Sequence, residues 1–380
     1  MSWSEFSFGE LYAEPSRNGV YKPKDAHGQG TKIVNMGELF AYEFVGSQNM
    51  ARLEMTEREL VLSGLKEGDL LFGRRSLVEA GAGKCSIVTS LSEPTTFESS
   101  IIRVRLNQEL CDPTFYYYWF KSRLGRGRIR SIVSGTNVKG IRSSDLRVLK
   151  VAYPGLLEQR RIVNIVKEYD DLIENNRRRI ALLERAVRLL YREWFVHFRF
   201  PGREWTKVKD GTPDGWSKCF VGSVLELRYG KALKESDRRT GPFPVYGSSG
   251  IVGTHESALA EGPSIVIGRK GNVGSVYWVA ANFWPIDTVY FVPKEQADYW
   301  LYLSLPSVGF QNTDGGVPGL NRDFAYSRKL VRPTDQIRKL FNETVDPLFF
   351  QRATLEKCNV KLAEGRDLLL PHLMNGEMVM

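Results

Sequence analysis

Two long heptad seams, each placed after a stretch of short strand and turn signals, constrain this chain more than any other feature. Between Leu156 and Phe195, apolar residues recur at Ile162, Val166, Tyr169, Ile173, Ile180, Leu183, Val187, Leu190 and Trp194, with one polar gap at Asn176. Steps of four and three keep one stripe of a helix apolar along its length, and such a stripe is buried against another helix. Pro154-Gly155 before the seam and Pro201-Gly202 after it punctuate the ends. At 1.5 Å rise per residue, roughly 40 residues make a rod of roughly 60 Å.

The second seam reads Ile337, Phe341, Thr344, Leu348, Gln351, Leu355, Cys358, Leu362, Gly365 and Leu369, each 175 residues after its counterpart. Pro347 is expected to kink or interrupt this helix, because proline removes a backbone hydrogen bond. The segments ahead of the seams also correspond. Val138-Lys139-Gly140-Ile141 precedes Asp145-Leu146, and Val317-Pro318-Gly319-Leu320 precedes Asp323-Phe324. Each leads to a proline (Pro154, Pro333) and then a glutamine (Gln159, Gln336). A repeat of this length indicates duplicated domains, not a solenoid.

The expected organisation is a first globular domain over 1–153, a long helix over 154–200, a second domain over 201–333 and a second long helix over 334–380. Leu70-Leu71-Phe72, Ile101 to Val104, Ser264 to Ile267 and Val289 to Val292 read as short strands. Short helices are expected over Pro113 to Ser122 and Gln296 to Leu305. The fold class is therefore α+β: two similar domains joined by two long helices packed as an antiparallel coiled coil, with pseudo-two-fold symmetry. In such a pair Asn176 and Gln351 would approach each other and fix the register. Two unlike reading heads on one rigid spacer suit a split, non-palindromic DNA target.

The formal charge of +9 suits a polyanionic partner such as double-stranded DNA. Phosphates need Lys and Arg, guanine favours Arg and Lys, and adenine favours Asn and Gln. Candidate DNA-binding residues in the first domain are Lys22, Lys24, Arg74, Arg75, Thr136, Asn137 and Lys139. In the second they are Lys231, Tyr246, Ser248, Ser249, Arg269, Lys270, Asn272 and Asn312. Arg123, Arg126, Arg128 and Arg130 form a further basic cluster that could bind phosphate or face solvent.

The sequence argues against catalysis by this chain. An adenine methyltransferase holds its flipped base with an Asn/Asp-Pro-Pro-aromatic motif, and the chain has no Pro-Pro pair. It also lacks the acidic-x-Lys element of common metal-dependent nucleases. Gly83-Lys84-Cys85 departs from a P-loop at the hydroxyl position and, with Val78, at the upstream glycine. The four histidines and four cysteines are scattered, so no metal site or disulfide framework is suggested. The start of the chain lacks a signal-peptide pattern and no apolar run suits a membrane span, which points to a cytoplasmic protein with no membrane partner.

Several stretches together resemble one family. Gly135-Thr136-Asn137-Val138-Lys139-Gly140-Ile141 and Tyr153 to Ile162 resemble the central junction of the specificity subunits of Type I restriction–modification enzymes, as do Ile180 to Glu184 and Glu193 to Val196. Phe243 to Ile251 and Ile265 to Gly274 are similar to that family's target-recognition domains, and Leu368 to Gly376 to its C-terminal end. The resemblance implies a non-catalytic subunit of a bacterial or archaeal complex, whose two target-recognition domains read a bipartite DNA site. The helices would set the gap and dock two modification subunits, which hold S-adenosylmethionine and methylate a flipped adenine. Restriction subunits using ATP and Mg would join them, and this chain would bind no cofactor itself. A helical scaffold that binds proteins and leaves DNA alone is the alternative.

Overall fold

Each globular head closes on itself before the chain enters a long helix. In the computed structural model, which describes residues 3–77, 79–209, 211–313 and 319–376, Ser4–Ser7 pairs antiparallel with Lys150–Tyr153. Ser217–Phe220 pairs in the same way with Lys329–Arg332. The chain divides into two compact units, one of Met1–Asn175 with Cys358–Met380 and the other of Asn176–Lys357. Each unit therefore holds one head and parts of both long helices.

The first unit is built on a five-stranded sheet in the order Tyr12–Asn18, Ile101–Leu106, Leu70–Gly73, Cys85–Val88 and Phe44–Val45. A three-stranded sheet of Arg52–Leu53, His27–Val34 and Thr95–Phe97 accompanies it. The helix Pro113–Lys121 is buried all round, as a run of Phe115-Tyr116-Tyr117-Tyr118-Trp119-Phe120 requires. Each such aromatic contributes on the order of 2 kcal/mol by leaving water. Phe8, Phe72 and Phe120 meet edge to face with centroids 4.9–6.2 Å apart. Pro113 begins the helix and the Asp112 side chain accepts from Thr114 N at 2.8 Å. Buried Gln159 joins this head to the long helix: its Oε1 accepts from Asp112 N and its Nε2 donates to Pro154 O, both at 2.8 Å.

The second unit carries a four-stranded antiparallel sheet in the order Arg228–Tyr229, Val289–Val292, Ser264–Gly268 and Val276–Val279. Gly250–His255, Phe243–Gly247 and Trp284–Pro285 form a smaller sheet. Asp298 caps Tyr299–Ser304 by accepting from Leu301 N at 2.8 Å. Its other oxygen takes a charged hydrogen bond from Arg338 and one from Asn342 at 3.0 Å. Gln336, expected to match Gln159, is exposed, and Asn342 takes its tethering role by accepting from Trp300 N.

The long helices are Leu156–Tyr191, continued by a π-helical turn Arg192–Val196, and Asp335–Met374. In the first unit Ile162, Val163 and Val166 share a core with Leu370, Leu373 and Met374. There Arg366 pairs with Asp170 at 2.5 Å, and Tyr118 donates to the other Asp170 oxygen at 2.5 Å. In the second unit Val187, Trp194 and Phe195 share a core with Phe341, Val345 and Phe349, and Arg352 pairs with Glu184 at 3.4 Å. Residue numbers fall along one helix as they rise along the other, so the packing is antiparallel in each unit.

Three expectations about the second helix change. It runs unbroken through Pro347, which is exposed; proline removes only its own N–H bond, and the ring meets solvent there. The seam keeps Phe341, Leu348, Leu355 and Leu362, but elsewhere passes one residue on, through Val345, Arg352, Asn359 and Arg366, leaving Thr344, Gln351 and Cys358 exposed. Gln351 therefore does not meet Asn176. The Arg352–Glu184 pair sets its level about eight residues from Asn176, roughly 12 Å of helix rise.

Candidate functional site

The same backbone clamp appears in both heads where a buried central strand ends. After Leu70–Gly73, Arg74 N donates to Ser100 O at 2.8 Å and Arg74 O accepts from Ile141 N at 3.1 Å. After Ser264–Gly268, Arg269 N donates to Thr288 O at 2.9 Å and Arg269 O accepts from Leu320 N at 2.7 Å. The next residue, Arg75 or Lys270, pairs with Gly140 or Gly319 respectively. The edge strand two places away ends alike in each head: Val20 N donates to Phe97 O, and Lys231 N to Pro285 O. Glycines permit these approaches. A Cβ on Gly140 would stand 2.7 Å from Arg74 O, and one on Gly230 2.0 Å from Ile286 O.

In the first head Arg75, Thr136 and Asn137 are exposed and Arg74 is half-buried. Lys139 turns back to donate to Gly135 O at 2.9 Å, and two hydrogen bonds of 2.9 Å between Ser134 and Gly140 close the loop that carries these residues. Lys22 lies apart, paired with Glu59 at 2.5 Å; its hydrogen bond, with the Thr56 cap, holds the Glu59 carboxyl down at about 2. The side chain of Lys24 lies outside the described residues.

In the second head hydrogen bonds gather most candidates into one cluster. Asn272 N donates to Ser248 Oγ at 3.4 Å, and the Ser275 and Tyr277 hydroxyls donate to Ser248 O at 2.6 and 3.2 Å. Asn312 Oδ1 accepts from Gly319 N at 2.7 Å, beside Lys270. Ser249, Asn272 and Lys231 are exposed, and Lys231 O accepts from Trp284 Nε1 at 3.0 Å. Tyr246 is less available than expected: its ring packs on Phe283 and Tyr277, and burial raises its hydroxyl pKa. Sequence reasoning does not single out Arg322, whose guanidinium lies 5.2 Å from the Tyr229 ring centroid. The two are 93 residues apart and no motif links them. Among the described residues no three His, Cys, Asp or Glu side chains group as metal ligands, and no helix is long and apolar enough to cross a membrane.

Residues 42–185 match the family described as the Type I restriction modification DNA specificity domain. The chain is 22% identical to the Type I restriction enzyme MjaIX specificity subunit of Methanocaldococcus jannaschii, covering 94% of this chain and 89% of that one. It is 20% identical to the HindI specificity subunit of Haemophilus influenzae over 99% of both. The chain belongs to the specificity subunits of Type I restriction–modification systems. A crystal structure of the corresponding subunit from M. genitalium, 18% identical, shares the fold with a TM-score of 0.59 over 98% of this chain and 96% of that one.

This specificity subunit contributes DNA specificity to a Type I complex and has no catalytic role of its own. Its basic helix Arg123–Ser131 is less open to phosphate than its composition suggests. Arg126 donates to Gly83 O at 3.1 Å, and Arg128 pairs with Glu5 at 2.5 Å. Arg130 lies 3.9 Å from Glu79.

Proposed function

We propose that each head of this specificity subunit, taken as 1–153 and 201–333, reads one half of an asymmetric bipartite site in double-stranded DNA through the loops around its clamped arginine. The supporting observation is that one backbone clamp recurs in both heads with different side chains on it: Arg74-Arg75 with Thr136-Asn137 in one, Arg269-Lys270 with Ser248, Asn272 and Asn312 in the other. Equal frames with unequal side chains suit two unlike half-sites. The long helices set the gap and dock two modification subunits, which bind S-adenosylmethionine and methylate adenine; restriction subunits with ATP and Mg complete the assembly in a bacterial or archaeal cytoplasm.

Selection from a random-sequence duplex library by the chain with its modification subunit tests this. Enrichment of one split, asymmetric sequence, with affinity falling steeply as salt rises, is the expected result. No enrichment would leave the helical scaffold reading.

A further inference from the structure

The second head carries an alternating ladder of tyrosine rings and guanidinium groups. Arg269 lies 5.7 Å from the Tyr290 ring centroid and 5.0 Å from that of Tyr229. Arg322 lies 5.2 Å from Tyr229 on one side and 6.0 Å from Tyr326 on the other. The outer rings are pinned. Buried Tyr290 donates to Leu320 O at 2.9 Å, and the Tyr326 hydroxyl accepts from Leu227 N at 2.9 Å. Arg269 spends a donor on Asp287 O at 3.2 Å. Arg322 has no hydrogen bond or ion pair among the described residues, is exposed, and stands beside Tyr229, itself 49% exposed.

A guanidinium held between two ring faces is restricted in orientation, so less side-chain freedom remains to be lost on binding. Its N–H fork matches the O6 and N7 acceptors of a guanine edge in the major groove. The first head lacks the arrangement. The place of Tyr229, opposite Tyr290 in the sheet, is taken by Asn18 opposite Ile102. Arg322, two residues past Leu320, is matched by Ser143, two past Ile141.

We propose that Arg322, positioned by this ladder, determines specificity in the second head by reading a guanine in the half-site that head takes. The inference rests on the DNA-reading function proposed above. The full chain, co-expressed with the modification subunit of its own genome, is compared with Arg322→Ser, the residue of the first head, and with Arg322→Lys. Adenine methylation is mapped across the genome for each. Both variants are expected to lose about tenfold to hundredfold discrimination for guanine at one position of one half-site, with the other half unchanged. Lysine fails with serine because it keeps the charge and loses the fork.

An unchanged motif in both variants would overturn the proposal. So would an even fall at all sites with Arg322→Ser that Arg322→Lys does not share, since that marks a phosphate contact. A wild-type chain that directs no motif removes the DNA-reading function itself, whereas a wild-type motif insensitive to both variants removes only the role of Arg322.

Discussion

Arg75 and Lys270 occupy one place in two frames, a residue beyond the clamped arginine, and neither side chain has a hydrogen bond or ion pair among the described residues. Cations placed so by the backbone are suited to phosphate. Arg75→Ala and Lys270→Ala should each weaken DNA binding about evenly across sequences and lower the salt slope by about one, as titrations at several salt concentrations would show. A changed motif instead would make them base readers. The tyrosines of the first head give a pH prediction. Burial pushes the hydroxyls of Tyr116, Tyr117 and Tyr118 well above the ordinary phenol range. The folded head holds these protons while the unfolded chain releases them near pH 10, so their contribution is complete below that pH and is lost as pH rises beyond it. Circular dichroism across the alkaline range should show stability falling from about pH 10 upward.

The helix pair holds buried charge where a heptad reading expects apolar or small residues. Asp170 accepts from both Arg366 and Tyr118, and the pair is about nine-tenths buried. Asp170→Ala leaves the Arg366 guanidinium only the exposed Asp367 carboxylate and strands the Tyr118 hydroxyl, and should cost about 3 kcal/mol, the low end for a broken buried pair, in urea unfolding. Replacing Asp170 and Arg366 together by leucine and methionine should recover most of that. Pro347 sits in an exposed turn of an unbroken helix, so Pro347→Ala should raise stability by up to about 3 kcal/mol, read as a higher unfolding midpoint. The first seam was legible because its apolar steps coincide with the buried positions. The second was only half legible: Val345, Arg352, Asn359 and Arg366 take places that strict 175-residue correspondence gives to Thr344, Gln351, Cys358 and Gly365. A long arginine reaches a partner carboxylate from a seam edge that apolar patterning cannot flag.

At the scale of the whole chain the duplication was visible in the paired glycines Gly140 and Gly319 and in the seams. The clamps themselves join residues up to 67 apart, as with Arg74 and Ile141, and pairing at that distance leaves no local pattern. The Tyr–Arg ladder was hidden for the same reason. Because each head closes on itself by the pairing of its end strands, exchanging 201–333 for the second head of a relative should change one half of the target and keep the other. The most direct test of the central claim maps methylated adenines genome-wide in cells with the cognate modification subunit, with and without this chain. One split, asymmetric motif with a fixed gap, lost when the chain is deleted, is the expected result; methylation unchanged by the deletion would contradict it.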